Sequence, residues 1–446
     1  MRGACHMAAE RKIIRTSDLT VFVILALCLV VVPAGILRIL AGPAGKAESS
    51  GKAVVGDGEK DPGEKPASSA TGLAPFGVVD SGIFGDLDAD VSFALPACAR
   101  GKDVSLVVNK KRRTLSLLYH GVAVKTYPVS LGFTPAGDKK KQGDGRTPEG
   151  EYFICEMLDE DLAPRYGARS MRLSYPSVKD AERGLEKGLI GQAQHDAIVA
   201  AIKKGVMPPQ DTKLGSSIRI HGGGVGDDWT AGCIALRDED AVEVYDAVVP
   251  GTKVTVLSGK GKDADDADRD GIPDQVDVHA GALKTALNGA GYDSGYFKIS
   301  YPMGDVAREV GCCTDVIIRA FRNAGIDLQV KIHDDIEARK KAYPHVKKAN
   351  ANIDHRRVKN MLVYMKKHLA AVDADLEGDD VCRWLPGDVV FFDTLPKKGP
   401  DHVGIVTWNL DDSGLPMVVN NWTWGYTTGE MDLLSWVETT HHFRLP

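Results

Sequence analysis

The stretch Ile220-His-Gly-Gly-Gly-Val-Gly-Asp-Asp-Trp-Thr-Ala-Gly-Cys-Ile-Ala-Leu236 decides the reading of this sequence. It places Cys233 twelve residues after His221, and glycines adjoin both residues. Glycine permits sharp turns and lets the backbone approach a ligand closely. A thiol near an imidazole is the minimum equipment for covalent acyl transfer, so the stretch predicts a cysteine nucleophile with a histidine base. The alternative is a buried cysteine and a turn histidine in a glycine-rich loop.

Short β-strand patterns surround this stretch and predict an antiparallel β domain over residues 101–257. A segment from Asp180 to Lys204 interrupts them with apolar residues at i and i+4, which predicts a helical insert. The strand patterns are Val104-Ser-Leu-Val-Val-Asn, Thr114-Leu-Ser-Leu-Leu-Tyr, Val122-Ala-Val-Lys-Thr-Tyr-Pro-Val, Ser217-Ile-Arg-Ile and Thr252-Lys-Val-Thr-Val-Leu.

Two ordered motifs resemble the YkuD-type L,D-transpeptidases. They are Ile220-His-Gly with Thr230-Ala-Gly-Cys-Ile-Ala-Leu236, and, upstream, Gly143-Asp-Gly-Arg-Thr-Pro-Glu-Gly-Glu-Tyr152. The resemblance implies a mainly-β, sandwich-like catalytic domain that acts on peptidoglycan stem peptides. One position departs from it, because Ala231 stands where many members carry a second histidine. Substrate choice within the family therefore does not follow from the resemblance.

The same resemblance implies a role for each site residue. Cys233 would be the nucleophile and His221 its base, with a backbone carbonyl near Gly222 or Gly223 orienting the imidazole. The amides of Gly232 and Cys233 would form the oxyanion hole. The thiolate would attack the carbonyl of the L-centre of diaminopimelate, release D-alanine and leave a thioester. An amine would then give a cross-link and water would give carboxypeptidase trimming. Both outcomes stay open, as does the helical insert's role in shaping an acceptor channel or merely packing.

An apolar run near the N-terminus predicts where the chain lies. Residues 19–37 read LTVFVILALCLVVVPAGIL, which approaches the length that crosses a hydrocarbon core of about 30 Å. The preceding residues 1–18 are basic, which predicts a cytoplasmic N-terminus. We expect an uncleaved signal anchor over residues 19–41, a single pass of the bacterial inner membrane and catalytic domains in the periplasm or cell envelope. A cleaved signal peptide is the alternative.

Composition narrows the partners and leaves disulfides open. Residues 42–100 are mostly small or charged and predict a flexible linker. The net charge of -6 argues against nucleic acid, so the expected partners are stem peptides and the membrane through the anchor. If Cys233 and Cys313 stay free, the four other cysteines beyond the apolar run allow three pairings, and reduced cysteines are equally compatible. Those four are Cys98, Cys155, Cys312 and Cys382.

The linker over residues 258–278 contains a patterned acidic loop, Asp266-Ala-Asp-Arg-Asp-Gly-Ile-Pro-Asp-Gln-Val-Asp277. The spacing is that of an EF-hand-type calcium loop and resembles the loops of thrombospondin type 3 repeats. It predicts a structural Ca²⁺ that stiffens the joint, with a solvated acidic hinge as the alternative. The expected ligands are Asp266, Asp268, Asp270, the Ile272 carbonyl, Asp274 and Asp277. No catalytic cofactor is expected, because neither thiol motif has zinc-ligand spacing.

A second thiol motif lies in the C-terminal region, residues 279–446. Gly311-Cys-Cys-Thr-Asp-Val-Ile-Ile-Arg-Ala320 places Cys313 just before a predicted helix, whose N-terminus favours a thiolate. His402 opens a predicted strand and Asn420 ends the next one. Cysteine on a helix, histidine on a strand and a polar residue on the next strand is the papain-like order. Helices followed by antiparallel strands predict an α+β fold.

This region resembles an uncharacterised bacterial family grouped with the NlpC-type cell-wall peptidases. The resemblance implies a papain-like domain with Cys313 as the nucleophile, although Cys312 remains an alternative. Asn420 stands where NlpC-type enzymes often carry histidine. His355, Arg356 and Arg357 would contact a stem-peptide carboxylate or would be structural. The segments that carry this resemblance are Tyr301-Pro-Met-Gly-Asp, Cys313-Thr-Asp, Asn352-Ile-Asp-His-Arg-Arg357, Trp384-Leu-Pro-Gly-Asp-Val and His402-Val-Gly-Ile-Val.

The sequence thus predicts a membrane-anchored, multidomain, bifunctional cell-wall enzyme. Its first domain would be an L,D-transpeptidase, and its second an amidase or endopeptidase that opens stem peptides. One alternative makes the first domain an L,D-carboxypeptidase, and another makes the C-terminal domain a non-catalytic wall-binding module. A scaffold with two inactive sites is a further alternative.

Overall fold

The computed structural model describes residues 101–259, 265–376, 383–395 and 399–446. The predicted anchor (19–41) and linker (42–100) lie outside the described residues, as do Cys98 and Cys382. Within the described ranges, no helix combines the length and apolarity that a membrane crossing needs. All the described residues belong to one compact unit.

An eight-stranded sheet forms the first domain, in the order β3-β2-β1-β8-β4-β5-β6-β7. Its strands are β1 (Val104–Asn109), β2 (Thr114–Tyr119), β3 (Val122–Pro128), β4 (Gly150–Leu158), β5 (Ser170–Leu173), β6 (Arg219–His221), β7 (Ile234–Ala235) and β8 (Lys253–Leu257). The predicted mainly-β class of this domain is confirmed.

The sheet is mixed, so the expectation of a purely antiparallel domain is wrong for two strand pairs. β1 lies parallel to β8, and β6 lies parallel to β7. Parallel neighbours need a crossover connection of about a dozen residues or more. Residues 222–233 provide that crossover between β6 and β7, which explains why His221 and Cys233 stand twelve residues apart.

The two edges of this sheet meet around the larger core of the domain. Beyond β3, Ser130 bridges Ala235 and Gly132 bridges Thr230, so the chain after one edge strand reaches the loop and strand at the other edge. The enclosed side chains are aliphatic and aromatic, and they include Leu106, Leu117, Met171, Ile220 and Ile234. Closure places the loop that carries Cys233 against the interior of the domain.

The predicted helical insert is present and consists of two helices, α1 (Val178–Glu186) and α2 (Gln192–Lys203). Ser177 and Asp180 form a capping box that begins α1. The pair encloses a small core of its own, made of Ala181, Ile190, Ile198 and Leu214. This core supports the packing role for the insert. A third helix, α3 (Asp238–Ala247), follows β7.

The second domain has the predicted order of helices before an antiparallel sheet. Its helices are α4 (Asp274–Asn288), α5 (Cys313–Asn323), α6 (Leu328–Ala338) and α7 (Val358–His368). Its strands are β9 (Gly291–Tyr292), β10 (Val310–Gly311), β11 (Ala370–Val372), β12 (Val389–Phe392), β13 (His402–Leu410), β14 (Pro416–Asn420), β15 (Gly429–Met431) and β16 (Thr439–Arg444). The six-stranded sheet runs β11-β16-β12-β13-β14-β15, and β9 and β10 form a separate two-stranded sheet.

The two domains share apolar surface. Leu385 and Trp408 of the second domain lie in the hydrophobic core cluster of the first. The helix α4 begins at Asp274, inside the segment predicted as linker, with Pro273 as its N-cap residue and Asp274 and Asp277 in its first turn. The acidic segment is therefore partly structured, and the two domains are packed together.

A buried ionic network ties α4 to the second sheet. Asp388 is fully buried and accepts hydrogen bonds from Gln275 Nε2 (3.0 Å), His442 Nε2 (2.6 Å) and Arg444 Nε (2.8 Å). Burial acts to raise the pKa of Asp388, but the hydrogen bonds from Arg444 and His442 and the positive charge of Arg444 outweigh it and hold the pKa below its usual value. The ionised carboxylate therefore stabilises the fold above about pH 4, and this stabilisation is lost as the pH falls through the folded-state pKa.

We expect Asp388→Asn to lower the free energy of unfolding by about 3 kcal/mol at pH 7, because Arg444 and His442 would lose their carboxylate. Urea unfolding measures this loss. The exposed Asp412→Asn is the matched control, with an expected change within about 0.5 kcal/mol. Equal stability of the two variants would show that the network does not contribute as described.

Candidate active sites

The parallel pairing of β6 with β7 brings the first thiol and imidazole to one face of the sheet. The register aligns Ile220 with Ile234 and His221 with Ala235. Continued by one residue, it aligns Arg219 with Cys233. Because side chains alternate along a strand, Arg219, His221 and Cys233 project to the same side.

The His221 imidazole is held in one orientation and one tautomer. Its Nδ1 lies 2.6 Å from the carbonyl oxygen of Gly222, and a carbonyl can only accept, so Nδ1 carries the proton. The rings of Tyr166 and Trp229 pack edge-on against it, with centroids at 5.0 and 5.7 Å. Burial lowers the pKa of His221 to about 4, which outweighs the Gly222 contact. The imidazole is therefore neutral near pH 7, with Nε2 as its proton acceptor.

The Cys233 thiol is hydrogen-bonded to a backbone carbonyl. Its Sγ donates to the Ser217 carbonyl at 3.5 Å. Burial raises the pKa of Cys233, although the positive charge of Arg219 opposes the rise. No hydrogen bond joins Cys233 to His221 among the residues described here. The thiol is thus protonated at rest and has to turn from Ser217 to His221 before it can lose its proton.

Two threonine hydroxyls hold the backbone around the nucleophile. Thr230 Oγ1 accepts from the Gly232 N–H at 3.1 Å and donates to the Cys233 carbonyl at 2.8 Å. Thr147, from the upstream motif, has its Oγ1 at 3.4 Å from the same carbonyl. The Gly232 N–H, predicted to face the oxyanion, is therefore engaged by Thr230. The Cys233 N–H remains as the candidate donor from this loop.

Close backbone approach explains why glycine occupies position 232. Gly232 has φ of +133°, and a Cβ there would lie 2.6 Å from the Arg146 carbonyl oxygen. Arg146 belongs to the Gly143–Tyr152 motif, so the two sequence motifs meet at this contact. A side chain at position 232 would push the upstream motif away from the nucleophile loop.

The sequence reasoning did not identify Asp238, which fixes the loop that follows His221. Its Oδ1 accepts from the N–H groups of Ala168 and Gly223, both at 2.9 Å. A Cβ on Gly222 would lie 2.1 Å from that oxygen, so glycine is required for the approach. Asp238 is the first residue of α3, just beyond the quoted motif, which is why the motif gave no signal for it. Thr147 and Thr230 lie inside the motifs, but nothing in the sequence assigns their hydroxyls a role.

A cation lies beside the aromatic ring that packs on His221. Arg165 is exposed, and its guanidinium lies 4.9 Å from the centre of the Tyr166 ring, which in turn packs on His221. Arg219 is buried instead, and it pairs with Glu156 and with Ser170 Oγ. Of these two arginines, Arg165 is therefore the one that an anionic ligand can reach from solvent.

The second site has a helix start and a strand start at its centre. Cys312 is the N-cap of α5 and Cys313 is its first residue. His402 opens β13, and its Nε2 lies 3.1 Å from Asn420 Oδ1. The oxygen accepts, so Nε2 carries the proton and Nδ1 is the acceptor. Burial lowers the pKa of His402 to about 4. The structure thus joins His402 and Asn420, while no hydrogen bond in the described ranges joins Cys313 to His402.

The two adjacent thiols differ in their tendency to ionise. A hydrogen bond from Cys313 lowers the pKa of Cys312, and Arg356 Nη2 lies 3.9 Å from its Sγ. The same hydrogen bond, together with burial, raises the pKa of Cys313. The sequence pointed to Cys313, whereas the surroundings favour the thiolate on Cys312.

A cavity of about 710 Å³ opens beside both thiols and has a cationic lining. Arg356 is buried and donates two hydrogen bonds, of 2.7 and 2.8 Å, to Asp315, so its positive charge is already paired with a carboxylate. His355 is also buried, at 2% exposure. Arg357 is exposed and lines the cavity. Of the three predicted carboxylate contacts, Arg357 is the one available to a ligand. The other basic residues of the lining are His345, Lys347, Lys348 and Lys359.

The acidic loop before α4 gathers its carboxylates. Ligand atoms of Asp266, Asp268 and Asp270 all lie within 4.8 Å of one another. Asp274 Oδ1 accepts from the Ala267 N–H at 2.8 Å, and Asp277 is fully buried in the first turn of α4. The Ile272 N–H donates to Asp270 Oδ1 at 2.7 Å. Three of the six predicted ligands, Asp266, Asp268 and Asp270, therefore lie together, and Asp274 is engaged by the Ala267 N–H.

Two family models match this chain. Residues 103–256 match the L,D-transpeptidase catalytic domain (YkuD), and residues 279–445 match a domain of unknown function (DUF1287). The first match supports an L,D-transpeptidase catalytic domain and a peptidoglycan-modifying enzyme. The second assigns the C-terminal domain to its own family and gives no support to the expected likeness to NlpC-type peptidases.

Individual relatives cover only parts of the chain. The uncharacterized protein YijF of Escherichia coli (strain K12) is 33% identical over 138 residues, which cover 29% of this chain and 62% of that protein. The chain thus spans less than two thirds of that relative.

Among solved structures, Bd1075 of Bdellovibrio bacteriovorus is 20% identical over 38% of this chain and 52% of its own, with a TM-score of 0.25. L,D-transpeptidase 1 of Mycobacterium tuberculosis is 15% identical over 35% of this chain and 61% of its own, with a TM-score of 0.20. The helical cell shape determining protein Pgp2 of Campylobacter jejuni is 14% identical over 77% of this chain and 94% of its own, with a TM-score of 0.27. Scores of this size do not establish a shared fold.

The pKa differences among the thiols predict an order of alkylation. With iodoacetamide from about pH 6 to about pH 11, we expect Cys312 to react with a midpoint below the ordinary thiol value, because its thiolate is stabilised. Cys155 is the internal control, since burial raises its pKa to about 11. Peptide mass spectrometry resolves each cysteine. A Cys312 midpoint at or above that of Cys155 would contradict the assignment.

Proposed function

We propose that this chain is a peptidoglycan L,D-transpeptidase in which Cys233 is the nucleophile and His221 is the base. One observation carries the proposal: the parallel β6–β7 pair presents both side chains on one face, and the Gly222 carbonyl leaves Nε2 of His221 free to accept a proton. The match of residues 103–256 to the L,D-transpeptidase catalytic domain agrees with it.

The acylation step follows from these positions. His221 Nε2 takes the thiol proton as Cys233 turns from Ser217, and the sulfur attacks the carbonyl of the L-centre of diaminopimelate. Negative charge develops on that carbonyl oxygen, and the Cys233 N–H is positioned to stabilise it. The protonated imidazole then gives its proton to the amine of D-alanine as the C–N bond breaks. A thioester on Cys233 and free D-alanine result.

The deacylation step uses the same base in the reverse order. An amine of a second stem peptide loses a proton to His221 and attacks the thioester, so that the thiol is regenerated and a cross-link forms. Water in place of the amine gives the carboxypeptidase outcome. Arg165 is exposed beside Tyr166 and carries the charge that a stem-peptide carboxylate needs.

The proposed setting rests on the sequence. The apolar segment 19–41 would anchor the chain in the bacterial inner membrane, with both domains in the periplasm or cell envelope, where stem peptides are found. Stem peptides and the membrane are the proposed partners, and the net charge of -6 disfavours nucleic acid.

We expect the full-length chain, in mild detergent, to release D-alanine from a disaccharide-tetrapeptide, with or without dimer formation. Cys233→Ala should lower the rate by roughly 10³-fold or more, because the covalent route is lost. Mass spectrometry of the products measures both D-alanine release and dimers. Dimers would identify transpeptidation, and trimmed monomers alone would identify the carboxypeptidase.

Cys155→Ala is the matched control, because Cys155 is a free, half-buried thiol on β4, away from the β6–β7 pair. It should retain full activity. D-alanine release that persists in Cys233→Ala would overturn the proposed nucleophile, whatever the outcome at the second domain.

A second activity is proposed for the C-terminal domain, a cysteine-dependent amidase or endopeptidase acting on stem peptides. The observation that favours it is the 3.1 Å contact of His402 with Asn420 in the domain that carries two thiols at the start of α5. The basic cavity beside the thiols suits the carboxylates of a stem peptide. The rival is a wall-binding module that uses the same cavity without chemistry.

Single thiol variants separate these possibilities. With cross-linked muropeptides as the substrate, Cys312→Ala should abolish hydrolysis if Cys312 is the nucleophile. Cys313→Ala should abolish hydrolysis if Cys313 is the nucleophile. Cys233→Ala is the background for both, so that the first site does not contribute. Unchanged muropeptide hydrolysis in both variants would favour the wall-binding module.

A further inference from the structure

Three carboxylate oxygens of the acidic loop are buried without any hydrogen-bond partner. They are Oδ1 of Asp266 and both oxygens of Asp277. Asp277 is 0% exposed and Asp266 is 6% exposed. Burying an ionised carboxylate without a partner is costly, and proteins normally compensate it with a counter-charge or a metal. A bound cation would supply the partner that these three oxygens do not have.

The orphaned carboxylate of Asp277 faces the other acids of the loop. The charges that act on it most strongly belong to Asp270, Asp268, Asp274 and Asp266. Asp266, Asp268 and Asp270 come from the loop between β8 and α4, while Asp274 and Asp277 come from the first turn of α4. The carboxylates thus converge from the loop and from the helix on one space.

We propose that residues 266–277 bind one Ca²⁺ and that this ion fastens the loop to both domains. The donors are oxygens alone: carboxylates of Asp266, Asp268, Asp270 and Asp277, with the Ile272 carbonyl at loop position 7. Calcium takes six to eight oxygen ligands in flexible geometry, whereas Mg²⁺ demands a tighter octahedron and keeps several waters. Gly271, with φ of +107°, supplies the sharp turn at position 6.

The loop touches the first domain through Arg112. Arg112 lies in the turn between β1 and β2, and its Nη1 is 2.5 Å from Asp266 Oδ2. A Cβ on Gly271 would lie 3.3 Å from the same nitrogen, so the arginine side chain packs on the loop. Asp266 thus offers Oδ2 to the first domain and Oδ1 to the ion.

The loop touches the second domain through the end of α5. Asn323 Nδ2 donates to the Asp277 carbonyl at 2.9 Å. A Cβ on Gly325 would lie 2.7 Å from Asp268 Cβ, so the chain after α5 lies directly against the loop. An ion bound to Asp266, Asp268 and Asp277 therefore links contacts to both domains.

The test uses the full-length chain after removal of metals with a chelator. Calcium titration by calorimetry to about 10 mM, above the weakest class of protein sites, should give one ion per chain. Calcium should also raise the midpoint of thermal unfolding, and Mg²⁺ at the same concentration should raise it less. Binding and the calcium shift should both be lost in Asp268→Ala.

Asp277→Asn keeps the test decisive even where Asp268→Ala fails to fold. Without calcium, this variant should unfold at about the same temperature as the unmodified chain, because an amide in place of the carboxyl group adds no charge to the buried acidic cluster. With calcium, its shift should be lost. If Asp277 had only a structural role, the variant would not combine unchanged stability without calcium with the loss of the calcium shift.

Asp411→Ala is the matched control, because Asp411 also accepts turn hydrogen bonds, from Ser413 and Leu415, but lies in the β13–β14 turn. It should keep the full calcium response. The proposal is overturned if no calcium binds to about 10 mM, if Mg²⁺ gives an equal shift, or if Asp277→Asn responds as the unmodified chain does. None of these readouts depends on enzymatic activity.

Discussion

The parallel alignment of β6 with β7 is the constraint on which the first site depends. Parallel strands cannot be joined by a hairpin, so the chain must leave His221, cross over and return in the same direction to Cys233. The crossover has to be compact as well, since it packs under the upstream motif. Thr230 and Asp238 provide the hydrogen bonds that hold it, and glycine at 222 and 232 provides the space.

The two thiol sites orient their histidines in opposite ways. At the first site a backbone carbonyl binds Nδ1 of His221, and at the second a side-chain oxygen binds Nε2 of His402. Each imidazole is buried and neutral near pH 7 because desolvation lowers its pKa. What differs is the thiol, which is destabilised as a thiolate at Cys233 and stabilised at Cys312. The two domains thus reach comparable bases through unrelated local geometry.

Local patterns in the sequence predicted much of this arrangement. Alternating apolar residues gave the first three strands, and the glycine-flanked motif gave His221 and Cys233, because both signals reside in a few neighbouring residues. The parallel pairs could not be predicted, since they join segments whose register depends on the rest of the sheet. The engagement of the Gly232 N–H and the role of Asp238 were equally out of reach, because both depend on loop geometry. The lowered pKa of Cys312 depends first on its hydrogen bond with Cys313 and to a smaller extent on Arg356, 44 residues away along the chain.

The shared apolar surface has a consequence for how the molecule can be divided. Leu385 and Trp408 fill part of the first domain's core although they belong to the second. Cutting the chain within residues 258–278 would expose the side chains that Leu385 and Trp408 contact. A separated first domain would then present that apolar patch to other copies of itself. Residues 101–257 form a unit by sequence pattern, but the cooperative unit of folding extends across the boundary. If a shortened form aggregates, the cause would be the loss of the contacts with Leu385 and Trp408. Low activity of that form would therefore not be evidence about the role of Cys233.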